Sequence, residues 1–467
     1  MNSNFENIMM NVPEIGNNMY ELMVELFPIC RSITGNGVRK SLQILKNHIL
    51  LDILEVPSGT KVFDWTVPRE WNINDAYIKN SKGEKIVDFK KSNLHVLNYS
   101  IPIHKKISLK ELKLNLHSLP EHPDVIPYRT SYYKENWGFC ITHNQLLQLE
   151  NDEYEVFIDS TLQDGSLTYG EYLIRGKSED EVLFSCYPCH PSMCNDNLSG
   201  VVLLTFLAKH LKIFSLNYSY RFLFVPETIG AITWLSRNEH NVTKIKHGLV
   251  ATCVGDPGIS SYKKSRQGNA EIDQTVIEIL KNSGADYKIL DFYPTGSDER
   301  QFCSPGFNLP IGSLERTFAP DFPEYHTSAD NTDFVQGEYL ADTFSKYLKV
   351  IFKLEENFGK FKPENDKTII KNIKKNNNDK VFLNLNPKCE PQLGKRNLYH
   401  AIGSQIPSQG GKKIVDQFTL LWVLNYSDGI HSLYDIAQLS GYDFLQIERA
   451  ADALVACNLL KEKNNYD

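Results

Sequence analysis

Residues 182–213 read VLFSCYPCHPSMCNDNLSGVVLLTFLAKHLKI. The opening five residues are apolar or small and suit a buried strand. From Leu198 to Ile213 the apolar residues recur at helical spacing. A short segment rich in Cys, His, Asn and Asp joins the two. Strand, polar loop, helix is the unit from which parallel α/β sheets are built. Its loop lies at the C-terminal end of the strand, where such sheets gather their ligand sites.

The same alternation extends over residues 170–355. Strand-like runs are Glu171–Ile174, Val182–Cys186, Tyr220–Val225, Gly248–Val254, Lys288–Phe292 and Ile311–Leu314. Helix-like runs are Leu198–Ile213, Ile229–Arg237, Glu271–Asn282 and Phe334–Lys353. The expectation is an α/β fold: a mostly parallel sheet with helices on both faces and right-handed crossovers. Upstream, Met19, Leu22, Met23, Leu26 and Phe27 mark a helix, and a turn over 32–37 separates it from a second. Residues 55–165 carry scattered prolines, many aromatics and short β-type runs such as Leu94–Tyr99. They read as a β-rich domain over 59–165, inserted into an α/β domain made of 1–58 and 166–355. The Lys-, Asn- and Glu-rich stretch 356–384 reads as a solvated, partly helical connector.

Residues 385–467 read as a separate module. Gln417–Leu424 opens a helix, Leu433–Leu439, Ser440-Gly441 and Tyr442–Leu454 form helix, turn, helix, and Leu459 to Lys461 begin a wing strand: a winged helix. From Leu385 on there are eight Lys+Arg and nine Asp+Glu, a net charge of 8 − 9 = −1. Its second helix carries Asp443, Glu448 and Asp452 against Arg449. Phosphate contacts need the opposite sign, so self-association or a protein partner is expected of this module, and no nucleic acid.

The whole chain agrees. Its 467 residues hold 50 Lys+Arg and 57 Asp+Glu, a net charge of −7, with 41% hydrophobic and 23% charged residues. That composition excludes wholesale disorder and a dominant nucleic-acid surface. No apolar run approaches the ~20 residues of a membrane span. The first residues, MNSNFENIMMNVPEIGNN, show neither the basic region nor the apolar core of a secretion signal. A cytoplasmic protein with reduced cysteines is expected, nine of them in all.

Four strand ends carry candidate chemistry: Cys189-His190-Pro191 with Asn195-Asp196-Asn197, then Pro226-Glu227-Thr228, Gly255-Asp256-Pro257, and Glu324-Tyr325-His326-Thr327. Each residue has a plainer reading. A single His is usually only hydrogen-bonded, Asp196 suits a helix cap, Asp256 before Pro-Gly suits a turn, and Glu227 suits a helix start. Gathered at matching strand ends, they make a His and carboxylate set suited to zinc, with Glu227 as general base. A rival is a structural zinc site at Cys186, Cys189 and Cys194 or His190, from the single CxxC spacing.

CHPSMCNDNLSG, FVPETIGA, CVGDPG, GSDERQF and EYHTSADN resemble, in order and spacing, the co-catalytic zinc aminopeptidases of the M28 type. More narrowly, the chain resembles the bacterial DUF4910 aminopeptidase-like family with its inserted DUF2172 domain and C-terminal winged helix. The resemblance implies that His190 and Asp256 bind one zinc, that Asp196 bridges two, and that His326 binds the second. It implies that Glu227 activates water and that Asp298 orients the site. Two features depart from the pattern. Thr228 stands where a second Glu ligand is usual, which puts a second ion in question, and His190 and Asp196 are only six residues apart.

The expected activity is zinc-dependent hydrolysis of peptide or amide bonds, with one or two zinc ions and a peptide or small amide-containing substrate. Arg129, Tyr132, Trp137 and Phe139 of the insert, together with Thr228, Asp298 and Arg300, are the expected substrate-side residues. Two alternatives stay open: deacylation of a small N-acyl metabolite, and a binding or regulatory protein that keeps the fold without turnover.

Overall fold

The computed structural model describes residues 2–318, 321–361, 380–399 and 415–463. Its central sheet has eight strands: β1 Asp52–Pro57, β2 Ser166–Ile174, β3 Glu181–Cys186, β4 Ser219–Phe224, β5 Ile245–Val250, β6 Ser260–Lys263, β7 Tyr287–Leu290 and β8 Ile311–Glu315. They lie in the order β1-β2-β4-β3-β5-β8-β6-β7. The middle four, β4, β3, β5 and β8, are mutually parallel; β1, β2 and β6 join antiparallel to their neighbours towards the centre. All six residues of β3 are buried. Val182, Phe184 and Cys186 face one core and Leu183 the other, so a strand covered on both sides reads as an unbroken apolar run.

Helices α1 Val12–Leu26, α2 Asn36–Leu45, α3 Gly200–Leu211, α4 Ile229–Asn238, α5 Glu271–Lys281 and α6 Gly337–Asn357 cover the sheet. Helices α1, α3 and α6 pack over Phe184, Phe222 and Leu249, while α4 packs over Leu223 and Val250. Gly200 opens α3 because a Cβ there would stand 2.2 Å from the carbonyl oxygen of Ala251. Strand β5 ends before the Val254 that the sequence pattern predicts. It stops at Val250, since the chain turns through Thr252 and Cys253, the latter at φ 50°.

Between β1 and β2 the chain leaves and returns at one place: Pro57 pairs with Ser166, and Ser58 donates to the carbonyl of Gly165. The intervening residues build an antiparallel sheet in the order Lys85–Asp88, Glu70–Lys79, Glu153–Gln163, Ile103–Ser108, with its own core of Ile78, Val156, Ile158, Phe139 and neighbours. Leu94–Tyr99 is not a strand. Ser92 caps a 3-10 turn at Asn93–His95, and the apolar residues there answer to burial alone.

A clamp fixes the root of the insert. Arg39 on α2 grips both carboxylate oxygens of Glu70, at 2.7 and 2.6 Å. Arg39 lowers the Glu70 pKa from 4.5 to about 2. Glu70→Gln should cost about 1–3 kcal/mol at neutral pH in urea melts, the range for a charge-assisted pair. Because the folded pKa lies below the unfolded one, this advantage is present above pH 4.5 and fades as the pH falls towards 2. Variant and parent should therefore converge in acid.

At the C-terminal end, Val381–Asn384, Asp428–Ser432 and Leu460–Glu462 form a three-stranded sheet beside helices Gln417–Tyr426, Leu433–Ser440 and Phe444–Ala456. This is a winged helix whose first strand begins inside the stretch expected to be connector. Phe382 lies in its core with Leu420, Leu454 and Leu460, a strand hidden in sequence by its Lys- and Asn-rich approach. Residues 362–379, most of the expected connector, lie outside the described residues. Among the described residues no helix is long and apolar enough to cross a membrane.

Candidate metal centre

The ends of β3 and β4 and the loop before α6 converge. His190, Asp196 and His326 each place one ligand-type atom within 4.8 Å of the others. Asp196 Oδ2 lies 2.9 Å from His326 Nε2 and 3.3 Å from His190 Nδ1. Asp196 Oδ2 and His326 Nε2 are both buried, and beyond these ion-pair contacts neither takes a hydrogen bond from the surrounding protein. Burial works against charge here. Even so, His190 and His326 hold the Asp196 carboxyl well below the usual range, and Asp196 holds His190 well above the usual imidazole value. His190 Nδ1 is 3.2 Å from the backbone carbonyl of Asp196.

The loop that carries these residues is fixed on every side. Buried Arg31 donates Nε to the carbonyl of His190 at 3.0 Å. Asp330 accepts the backbone N–H groups of Cys194, Asn195 and Asp196, at 3.1, 2.6 and 2.9 Å. Tyr187 donates its hydroxyl to Asp196 Oδ1 at 2.7 Å. The helix-capping role falls to Asn197, whose Oδ1 accepts the N–H of Gly200. The Tyr325 ring stacks on His326 with centroids 3.9 Å apart. Thr228, Cys253 and His326 all take left-handed backbone, at φ 62°, 50° and 55°. Such residues cost about 1–3 kcal/mol each and cluster at functional sites.

Glu227 is the adjoining carboxylate. Its Oε2 lies 3.2 Å from His190 Nε2, and its side chain is 26% exposed, enough to meet a substrate. Its backbone N–H points at Cys189 Sγ. Thr228 donates its N–H to Asp298 Oδ1 at 2.6 Å, and its hydroxyl accepts from Arg300 Nη2 at 3.0 Å. Burial, and then the charge of Glu227, push the Asp298 carboxyl well above its usual value.

Several expected residues lie elsewhere. Asp256 is not in the cluster. Its carboxylate is taken by Asn195 Nδ2, the N–H of Gly258, and the N–H and hydroxyl of Thr317, so it ties a turn to the end of β8. The rival cysteine set does not assemble either: Cys186 Sγ points at the carbonyl of Leu223 and Cys189 Sγ at Glu227. All nine cysteines are free. Of the four insert residues, Tyr132 alone lines the cleft beside Glu227. Phe139 and Trp137 belong to the core of the insert, and Arg129 is buried with Nη1 on the carbonyl of Tyr128.

That cleft has a volume of about 440 Å³. Glu227, Thr228 and Arg300 line one side and Trp65, Tyr132 and Tyr133 of the insert another. The third side is Glu390 to Tyr399, the segment that follows the first strand of the winged helix. Residues missed in sequence include Arg31, Tyr187 and Asp330, none of which is itself a ligand. Tyr128, whose ring sits 5.1 Å from His190 and 5.4 Å from His326, lies inside the aromatic stretch that had drawn attention to its neighbours.

Comparison with known proteins follows the same outline. The family profile described as "Domain of unknown function (DUF4910)" matches residues 20–357, and a winged helix-turn-helix profile matches 380–462. A Clostridium acetobutylicum protein named "Putative polysaccharide biosynthesis protein with aminopeptidase-like domain" is 57% identical over 451 residues, covering 97% of this chain and 98% of its own. The crystal structure of a "putative peptidase" from C. acetobutylicum superimposes with a TM-score of 0.74 at 55% identity, covering 98% of this chain and 99% of that one. A zinc aminopeptidase from Bacillus subtilis shares the fold at 12% identity, with a TM-score of 0.53 over 72% of this chain and 94% of its own. By the extent of the profile match and by this close relative, the chain belongs to the DUF4910 family, with an aminopeptidase-like α/β fold and a C-terminal winged helix.

Proposed function

We propose that the protein hydrolyses an amide bond, with zinc held by His190, Asp196 and His326 and with Glu227 as general base. The observation that carries this is the buried convergence of His190, Asp196 and His326, whose ligand-type atoms lie within 4.8 Å of one another. A buried carboxylate facing two imidazoles is costly to leave without a compensating charge, and a cation held by all three supplies it. Two imidazoles and a carboxylate are a donor set that zinc favours, and three protein ligands leave a position open.

When bound, zinc polarises the scissile carbonyl and lowers the pKa of water to about 7. Glu227 accepts a proton from the attacking water as the new O–C bond forms. It passes that proton to the nitrogen as the C–N bond breaks, releasing an acid and an amine. Asp330, Tyr187 and Arg31 keep the ligand loop in register throughout. Thr228 offers no carboxylate to a second ion, which supports a single zinc per chain.

The substrate is a peptide or a small N-acyl compound. The aminopeptidase-like fold supports the first. The second draws support from the relative named for polysaccharide biosynthesis, and from a cleft that sets Trp65, Tyr132, Tyr133 and Tyr399 beside the amide side chains of Gln392 and Asn397. Aromatic faces with polar rims suit a sugar ring as well as a peptide side chain. The zinc-loaded full chain, assayed for amine release from aminoacyl 4-nitroanilides and from N-acetylhexosamines, should turn over one class. Turnover of neither, with no bound zinc, would leave a non-catalytic binding protein. The winged helix carries Glu448 and Asp452 on its last helix and is assigned to protein contacts.

A further inference from the structure

The geometry points to Arg300 as the residue that supplies positive charge to the oxygen of the attacked amide, in the place a second metal ion would otherwise take. This rests on the amide-hydrolase reading and adds a group to it. The charges set the problem. One zinc, the Asp196 carboxylate and the Glu227 carboxylate sum to zero before reaction. The carbonyl oxygen then gains a full negative charge, and two-metal hydrolases meet that demand with their second ion.

Among the described residues, the one cluster of metal-type ligands is His190, Asp196 and His326. Next to Glu227, where a second set would need a carboxylate, stands Thr228, and its hydroxyl is bound by Arg300 Nη2. Arg300 and Glu227 line the same cleft. Glu390 holds Arg300 Nη1 at 3.0 Å, and Tyr399 hydrogen-bonds the same guanidinium. A guanidinium fixed between Thr228 and Glu390 in the lining that also carries the general base is a preorganised positive charge. Two other cations line the cleft. Lys395 is engaged by Asp64 at 2.8 Å, and Lys134 is exposed. Glu390 is then a positioning residue, which gives the winged-helix module itself a share in the site.

The test uses inorganic phosphate, a tetrahedral oxyanion that presumes no particular substrate, titrated calorimetrically into the zinc-loaded full chain. The parent should bind phosphate and carry one zinc. Arg300→Gln should keep its zinc and bind phosphate at least about tenfold more weakly, with kcat down about 100-fold on any amide substrate found and KM little changed. Arg300→Lys should recover part of both. Arg300→Gln combined with Glu390→Gln removes the carboxylate that the single variant would leave without its ion-pair partner and guards against a folding failure. Equal phosphate affinity in parent and Arg300→Gln, no phosphate binding by the parent, or two zinc ions per parent chain would each overturn the proposal. A chain that takes up no zinc instead defeats the amide-hydrolase reading, and phosphate titration of that metal-free chain still decides whether Arg300 forms an anion site.

Discussion

Asp196→Ala protein, dialysed beside its parent, should retain less than about a tenth of the parent's zinc and show no measurable amide hydrolysis. Asp196 contributes the oxygen that both histidines approach, and its side chain is 1% exposed. Without it the set falls to two neutral imidazoles, with no negative charge to offset the ion. Losing an outer partner of a metal ligand typically costs 10- to 100-fold in affinity, and losing a charged ligand should cost more. Elemental analysis reads the result directly. Full zinc occupancy in the variant would place the metal elsewhere. Asp196→Asn separates shape from charge: it fills the same space, still accepts from Tyr187, and should lose zinc nearly as completely.

Glu227→Gln should behave in the opposite way, keeping its zinc while hydrolysis falls about 10²- to 10⁴-fold, the usual worth of a general base. An amide side chain matches the shape of the carboxylate and can still face His190, but it cannot take a proton from water. The loss should appear in kcat rather than in KM, because the group acts on the reacting water and not on the bound substrate. Undiminished turnover in the variant would pass the role of base to another group. Loss of zinc together with activity would make Glu227 a ligand. These two variants distinguish holding the ion from using it.

The middle of the sheet was legible, though its members Asp52–Pro57 and Ser260–Lys263 were not, because buried parallel strands have an unmistakable texture. Val182–Cys186 and Ile311–Leu314 could hardly be anything else, and the helices between them keep a clean period. Where a residue's burial and its backbone state diverge, the sequence misleads. Leu94–Tyr99 is apolar because it is covered, not because it is extended. Val381–Asn384 is a strand although its approach looks like solvated chain.

At the site, the residue types were informative and the geometry was not. Asp256 follows β5 just as Asp196 follows β3, so spacing alone gave them equal standing. The left-handed turn at Cys253 carries Asp256 round to Thr317, and only the folded chain shows that. The supporting groups were less legible still. Asp330 acts by accepting three backbone N–H groups, and Arg31 by holding the carbonyls of His190 and Leu26, neither of which leaves a mark on local sequence. Glu390 lies 163 residues from Glu227, and no pattern in the chain announces that they share a cleft.

The insert begins and ends on facing residues of a single hairpin, Pro57 against Ser166. Its exchange for another domain would leave the hairpin closed but would strip the His326 loop of Tyr128, whose N–H donates to the His326 carbonyl and whose ring packs against both histidines. The insert is thus a structural part of the site rather than a removable cover, and a graft at this seam would have to rebuild the footing under His326 as well as the outer wall.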